Sequence, residues 1–170
     1  VLWRLSSFGV IAISIRKILN YKDYSDWFGM EGFCAVLTQK YEHDSITDNR
    51  RAIVKSLNFD PNKLAYPKQV HSSKVILVNK PAMIEETDGV ISINKEIVLS
   101  IQVADCVPLF LGNKVSGHFG LVHSGWRGTA TNISRRAVER MKELGSNFDN
   151  IRALIVPASH QCCFVVGREV

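Results

Sequence analysis

Three polar motifs, widely separated along the chain, constrain its fold more than any other feature. They read Gln-Val-His at 69–71, Ala-Asp-Cys at 104–106 and Val-His-Ser-Gly-Trp-Arg-Gly at 122–128. Each follows an apolar run, so each is expected where a strand gives way to a loop. Two imidazoles and a thiolate, from His71, His123 and Cys106, suit zinc or copper. Three protein ligands leave a fourth position open, as in catalytic zinc sites.

One domain spanning residues 1–170 is expected from the size and composition of the chain. Its 170 residues are 46% hydrophobic, which is enough for one substantial core. The net charge of +5 is spread over the sequence and forms no basic stripe interleaved with aromatic residues. Nucleic-acid binding is therefore not expected. The charge fits an anionic small molecule such as phosphate equally well.

The cysteines and the N-terminal segment indicate where the protein works. Four cysteines in a chain of this size, two of them adjacent at Cys162 and Cys163, do not form a disulfide framework. A reducing cytoplasm is the expected compartment. The adjacent pair is interpreted either as redox-active or as packing beneath the site. The first apolar stretch is only about eleven residues long, too short to span a membrane, and it predicts a buried strand over 9–15.

The remaining elements are predicted from periodicity and from residues that begin or end them. Helices are predicted over 44–57, capped by Asp44 or Ser45, and over 131–144, ended by Gly145. The predicted strands cover 75–78, 96–104, 119–123 and 152–156. Residues 17–32 are predicted to form an aromatic-rich loop, and Pro108 is expected to interrupt the strand pattern. The mixture indicates α/β or α+β and does not decide between them.

Other side chains near the three motifs have expected roles. The carboxylate of Asp105 lies in an apolar segment and needs a partner, so it is expected to orient a ligand histidine. Arg127 offers a planar fork for phosphate or carboxylate, and a helix starting near Thr131 would direct its positive end to the same anion. Cys106 with a histidine is alternatively the nucleophile and base of a metal-free hydrolase.

Five motifs, in the same order along the chain, resemble the YfiH-type laccase-domain proteins, which are also known as purine nucleoside phosphorylases. They are Lys-Gln-Val-His at 68–71, Glu-Thr-Asp-Gly-Val at 86–90, Ala-Asp-Cys-Val-Pro-Leu at 104–109, Leu-Val-His-Ser-Gly-Trp-Arg-Gly-Thr at 121–129 and the segment 157–170. Asn49 and Arg50 match a pair that the family carries before a helix. The resemblance covers residues 45–170.

The resemblance implies a single layered α/β domain with mixed sheets flanked by helices. It implies that His71, Cys106 and His123 bind zinc, with copper as the alternative, and act in catalysis together with Asp105. Arg127, Arg50 and Gln69 would contact substrate or phosphate. The implied reactions are phosphorolysis of adenosine and inosine, with adenosine deamination alongside. A copper-dependent polyphenol oxidase, a cysteine-dependent amidase of cell-wall precursors and an inactive binding homologue are the alternatives.

The sequence also departs from the family pattern. In the stretch 156–165, two glycines and a glutamate of the family motif are lost and stand as Val156, His160 and Val165. Family members usually continue beyond Val170, so the chain is expected to be truncated relative to them. These departures leave the three ligands in place and affect the residues expected to bind substrate.

Overall fold

The computed structural model describes residues 2–5, 21–38, 46–160, 162–164 and 167, and these form two sheets with helices on their outer faces. The strands are β1 Leu2–Leu5, β2 Tyr21–Asp23, β3 Phe33–Thr38, β4 Leu64–Pro67, β5 Val75–Leu77, β6 Met83–Ile84, β7 Gly89–Ser92, β8 Val98–Ser100, β9 Val107–Asn113, β10 Phe119–Ser124 and β11 Ile151–Ile155. The helices are α1 Ser25–Phe28, α2 Ile46–Ser56, α3 Trp126–Ala130 and α4 Ile133–Glu143, with single 3₁₀ turns at Pro61–Lys63 and Phe148–Asn150.

The core lies between the two sheets. The first sheet has the order β2-β3-β1-β8-β4-β6 and the second the order β11-β9-β10-β7-β5. Alternating residues of each strand point to opposite faces, so Phe119 and Leu121 of β10 join the central core, whereas Val122 faces outward. Phe33 of the first sheet meets Phe119 of the second edge to face, with ring centroids 6.1 Å apart.

One long helix covers the outer face of each sheet. Ile53 and Val54 of α2 pack against the first sheet. Ile133, Ala137 and Met141 of α4, spaced at helical intervals, pack against Val122 and its neighbours in the second. The order of layers is therefore helix, sheet, sheet, helix. This confirms the predicted α/β class of mixed sheets flanked by helices.

The chain crosses from the first sheet to the second three times at one edge. Strands β4, β6 and β8 are parallel neighbours, and the segments 68–74, 85–88 and 101–106 lead from them to β5, β7 and β9. The strands β5 and β7 are parallel, and β10 is antiparallel to both β7 and β9. The end of β10 therefore lies at the same edge as the three crossings, and this edge carries the candidate site.

Most of the predicted elements are found close to their expected bounds. Both long helices are confirmed, as are the strands expected over 75–78, 119–123 and 152–156. Gly145 follows α4 with a φ of 96°, the left-handed conformation that ends many helices. The strand predicted over 9–15 and the cap expected at Asp44 or Ser45 lie outside the described residues.

Three expectations about local structure are wrong. The predicted loop 17–32 contains β2 and α1, and the strand expected over 96–104 is only Val98–Ser100. Pro108 lies inside β9 instead of ending it. Its carbonyl accepts the N–H of Val156 at 3.4 Å, just past the end of β11. In a strand, the N and the C=O of one residue face the same side. The nitrogen of Pro108 therefore also faces the chain just past the end of β11, where strand pairing does not require an N–H donor.

Among the residues that the structure describes, no helix combines the length and the hydrophobicity needed to span a membrane.

Candidate metal centre

His71, Cys106 and His123 come together at the sheet edge where the crossings meet. One ligand atom from each residue lies within 4.8 Å of the other two. Cys106 Sγ and His71 Nε2 are 3.9 Å apart. Ordinary zinc–sulfur and zinc–nitrogen bond lengths at a tetrahedral angle would separate two such atoms by about 3.6 Å. The side chains present therefore fit a single ion held by three protein ligands.

The buried carboxylate of Asp88 fixes the tautomer of His123. Asp88 Oδ1 lies 2.7 Å from His123 Nδ1, and the two side chains are 0% and 5% exposed. Burial would raise the pKa of Asp88, but hydrogen bonds from His123, Ser72 and Val70 outweigh it and hold that pKa below its ordinary value. An ionised carboxylate only accepts hydrogen bonds, so Nδ1 of His123 carries the proton. The lone pair of Nε2 is left free for a metal.

The same carboxylate holds the loop that carries His71. Asp88 accepts the backbone N–H groups of Val70, His71 and Ser72 at 3.2, 3.0 and 2.7 Å, and the Ser72 hydroxyl at 2.8 Å. His71 has a φ of 61°, a left-handed conformation that is unusual for a residue other than glycine. The hydrogen bonds to Asp88 stabilise that conformation. One side chain thus positions two of the three ligands.

Asp88 received no role in the sequence analysis, although it lies in the Glu-Thr-Asp-Gly-Val motif at 86–90. The available signal was a carboxylate directly before the apolar run of β7. Asp105, which was expected to orient a ligand histidine, instead lies beside Cys106 and is exposed. The hydrogen bond expected from Asp105 is made by Asp88.

Cys106 is half-buried and directly precedes β9. Burial, the charge of Asp105, a hydrogen bond with Asp105 and the charge of Asp88 all raise the pKa of its thiol. The thiol therefore remains protonated at neutral pH unless a cation is bound. Binding of a metal by Cys106 would release that proton.

Gly125 allows β10 and α3 to approach the cluster. A Cβ at this position would lie 2.6 Å from His71 Cδ2 and 3.4 Å from Cys106 Sγ. A Cβ at Gly128 would lie 2.9 Å from the backbone oxygen of Ser72. Both glycines of the motif at 122–128 are therefore needed for close approach to the loop of His71, in agreement with the expectation that they let the backbone come close to a binding site.

Arg127 follows the cluster on α3 and is exposed. Its guanidinium carbon lies 4.2 Å from the ring centroid of Trp126, a cation–π contact that holds the fork beside the site. The helix expected to start near Thr131 begins at Ile133, and the short α3 lies between it and β10. The expected contact of Arg127 with phosphate or carboxylate stays a prediction.

Gln69 joins two of the crossings. Its Nε2 donates to the carbonyl of Gln102 at 2.7 Å, and its Oε1 accepts the N–H of Gln102 at 2.8 Å. Both polar ends of this amide are therefore used in tying the loop of His71 to the loop of Cys106. Ser159 N–H donates to the carbonyl of Asp105 at 3.0 Å and ties the C-terminal segment to the same loop.

Arg50 lies in a different layer from the cluster, on α2 against the first sheet. It is 9% exposed, and its guanidinium carbon lies 4.3 Å from the ring centroid of Tyr66. Burial lowers the pKa of Arg50. Within the described part of the chain, Arg50 Nε and Asn49 Oδ1 are buried without a hydrogen-bond partner. Its expected contact with phosphate stays a prediction.

The fold and the site together define an α/β protein with a His-Cys-His cluster where two stacked sheets share an edge. The chain belongs to the family described as multi-copper polyphenol oxidoreductase laccase, whose model matches residues 34–170. This is the laccase-domain family of the YfiH-type proteins, as the sequence motifs predict.

Several relatives are named for activities on nucleosides. The chain is 33% identical over 135 residues to adenosine deaminase RL5 from an unknown prokaryotic organism, covering 74% of this chain and 52% of the relative. It is 39% identical over 108 residues to a purine nucleoside phosphorylase of Aquifex aeolicus, covering 63% and 50%. Among solved structures, YfiH of Bacillus licheniformis matches with a TM-score of 0.66 and 29% identity, covering 70% and 49%. The chain spans about half the length of the curated relatives it matches.

Proposed function

We propose that this chain is a zinc-binding purine nucleoside phosphorylase that also deaminates adenosine. The observation that carries the proposal is the cluster of His71, Cys106 and His123, within 4.8 Å of one another. The names of relatives at 33% and 39% identity supply the reaction classes. Adenosine or inosine and phosphate are the proposed substrates, and copper is the alternative metal. The four free thiols support the cytoplasm as the compartment.

The donor set supports zinc and a catalytic role. Two imidazole nitrogens and one thiolate leave one tetrahedral position free. When bound, the ion would supply Lewis acidity to a nucleoside or to water. The residues of the chain prepare the ligands: Asp88 keeps the proton of His123 on Nδ1, and Gly125 leaves room for His71.

Phosphorolysis needs an anion held next to the sugar and a group that can move a proton. Arg127 is exposed beside the cluster, and its planar fork can bind phosphate through two parallel hydrogen bonds. Asp105 is exposed beside Cys106 and is proposed to exchange protons with the reacting nucleoside. Gln69 acts through its hydrogen bonds to Gln102, which hold the two ligand loops together. Arg50 is proposed as a second phosphate contact.

A metal-free cysteine hydrolase or amidase is the second candidate, because Cys106 Sγ lies 3.9 Å from His71 Nε2. A nucleophilic cysteine needs a lowered thiol pKa. Burial and the neighbouring carboxylates act in the opposite direction on Cys106. This disfavours the hydrolase and favours a thiol whose proton is displaced by a metal.

The copper-dependent phenol oxidase has less support. A multicopper centre requires many histidines, and within the described residues the structure brings together one set of three ligands. An inactive binding homologue remains the alternative suggested by the altered residues at 156–165.

The proposal is tested by incubating zinc-loaded protein with adenosine, with and without phosphate, and separating the products by chromatography. Adenine that appears only with phosphate is the expected result, together with inosine without phosphate and inosine or its phosphorolysis product hypoxanthine with phosphate. The Cys106→Ala variant should lose both reactions, whereas Cys34→Ala, which removes a thiol outside the cluster, should retain them. Adenosine left intact by the zinc-loaded protein would overturn the nucleoside proposal. If turnover of adenosine survived removal of the metal by a chelator but was lost on thiol alkylation, the metal-free cysteine mechanism would replace the metal-dependent one.

A further inference from the structure

Cys162 and Cys163 form an exposed pair of thiols outside the metal cluster. Their sulfur atoms lie 3.1 Å apart, and both side chains are exposed. The interpretation that the pair packs beneath the site therefore does not hold in this structure. A disulfide has a sulfur–sulfur distance of about 2.05 Å, so bond formation requires an approach of roughly 1 Å.

The local backbone brings the two thiols together. The N–H groups of Cys163 and Phe164 both donate to the carbonyl of His160, each at 2.9 Å, so this stretch turns tightly. The N–H of Ser159, at the start of the turn, is bonded to the carbonyl of Asp105. The turn that presents the thiols is thus anchored to the loop of Cys106. The backbone hydrogen bonds keep the two sulfur atoms close together, and both atoms remain accessible to a small reagent in solution.

We propose that Cys162 and Cys163 are a reversible redox modification site, which closes to a disulfide between adjacent residues. The oxidant is a small disulfide such as glutathione disulfide. One cysteine thiolate attacks it, forms a mixed disulfide and releases one glutathione thiolate. The neighbouring cysteine then attacks the mixed disulfide, forms the Cys162–Cys163 bond and releases the second glutathione. Two protein thiols are oxidised and one glutathione disulfide is reduced to two glutathione thiols, which take up the two protons that the cysteines lose.

An exposed disulfide between adjacent residues should be easy to reduce again. Exposed or strained disulfides have more oxidising potentials than structural ones and belong to the labile, regulatory class. Cys34 provides the contrast within the same chain. Burial and the charge of Asp23 raise the pKa of Cys34 to about 12, although a hydrogen bond with Ser25 acts in the opposite direction. A hydrogen bond with Cys162 also raises the pKa of Cys163, but both thiols of that pair are exposed, whereas Cys34 is half-buried. The thiol of Cys34 should therefore stay inert under the same treatment.

The test treats the full chain with glutathione disulfide and identifies the products by peptide mass spectrometry. Trypsin cleavage after Arg152 and Arg168 yields one peptide, 153–168, that contains both Cys162 and Cys163 and no other cysteine. Cys34 and Cys106 fall in the separate peptides 23–40 and 96–114. A mass decrease of two hydrogens in peptide 153–168, reversed by dithiothreitol, is expected. The Cys162→Ser and Cys163→Ser variants should instead keep one glutathione adduct each.

A second reagent tests whether the thiols act as a pair without any oxidation. Phenylarsine oxide reacts with two neighbouring thiols to form two arsenic–sulfur bonds and release one water. One adduct on peptide 153–168, absent from both serine variants, is expected. Two independent glutathione adducts on the native peptide, or a peptide that stays fully reduced, would overturn the proposal. An arsenical adduct without any disulfide would also overturn it, since the pair would then be a dithiol without redox function.

Discussion

Asp88 and His123 are joined by a buried hydrogen bond, in which His123 Nδ1 donates to Asp88 Oδ1 at 2.7 Å. The backbone joins the same two residues, because the N–H of His123 donates to the carbonyl of Asp88 at 2.8 Å. The carboxylate also accepts three backbone N–H groups from the loop of His71. The geometry of the candidate metal site therefore depends on a residue that is not one of the three clustered side chains.

Replacing Asp88 with asparagine should weaken metal binding while all three ligands remain. The amide would present a donor where the loop offers only donors, and it would no longer fix the tautomer of His123. Loss of such a partner typically lowers metal affinity about 10–100-fold. Competition with a chromogenic zinc chelator measures the change. Asp149→Asn, at an exposed position, is the matched control, and equal affinities of the two variants would contradict the role of Asp88.

Acid should destabilise the protein partly through Asp88. Its folded pKa lies below the ordinary value of 3.8, so its contribution to the free energy of unfolding is complete above that value. The contribution is lost as the pH falls through the lower folded pKa. Urea unfolding from about pH 5 to about pH 2 should show a steeper loss for the native chain than for Asp88→Asn. If the free energy of unfolding fell equally with pH in both proteins, ionisation of Asp88 would not contribute to stability.

The Gly125→Ala substitution should disrupt the metal centre from the side of β10. The added methyl group would lie 2.6 Å from His71 Cδ2, so the imidazole has to shift from its position in the cluster. Such overpacking typically costs about 1–3 kcal/mol of stability, and zinc stoichiometry should fall. Gly145→Ala is the control: its φ of 96° makes the variant strained, but its methyl group meets nothing within 4 Å. If Gly125→Ala bound zinc as well as this control, the steric argument would fail.

Removing the guanidinium of Arg127 should affect phosphate and leave the metal in place. A lost hydrogen bond to a charged group costs about 1.5–3 kcal/mol, so the KM for phosphate should rise by roughly ten- to a hundredfold. Phosphorolysis rates at increasing phosphate concentration, together with zinc content, measure both effects. Arg135→Ala removes an exposed arginine paired with Glu139 on α4. A KM shift shared by both variants would indicate a general charge effect rather than a phosphate site.

The grouping of His71, Cys106 and His123 was predictable because each is a rare residue type at the end of an apolar run. The register of the strands determines the rest. Val122 of β10 pairs with Gly89 of β7, and this pairing brings Asp88 beside His123. Nothing in the local sequence of Asp88 indicates which strand lies next to it. For that reason the orienting role was assigned to Asp105, the carboxylate nearest to a ligand in sequence.

The errors in secondary structure have a similar origin. Pro108 interrupts a strand pattern when its neighbours are ignored, but it is tolerated because its missing N–H points past the end of β11. The short strand β2 pairs with β3, and the short strand β8 pairs with both β1 and β4. Propensity over three residues contains little information about such pairing. The amphipathic pattern of α4, by contrast, specifies both the helix and its buried face.

The three crossings between the sheets have a consequence for the newly made chain. His71, Asp88 and Cys106 lie on successive crossings, and His123 is added only at the end of β10. A growing polypeptide therefore lacks a complete ligand set until β10 has left the ribosome and paired with β7 and β9. In the proposed metal-bound form, one ion would tie together the segments that join the two layers, so that its binding would require both layers to have assembled.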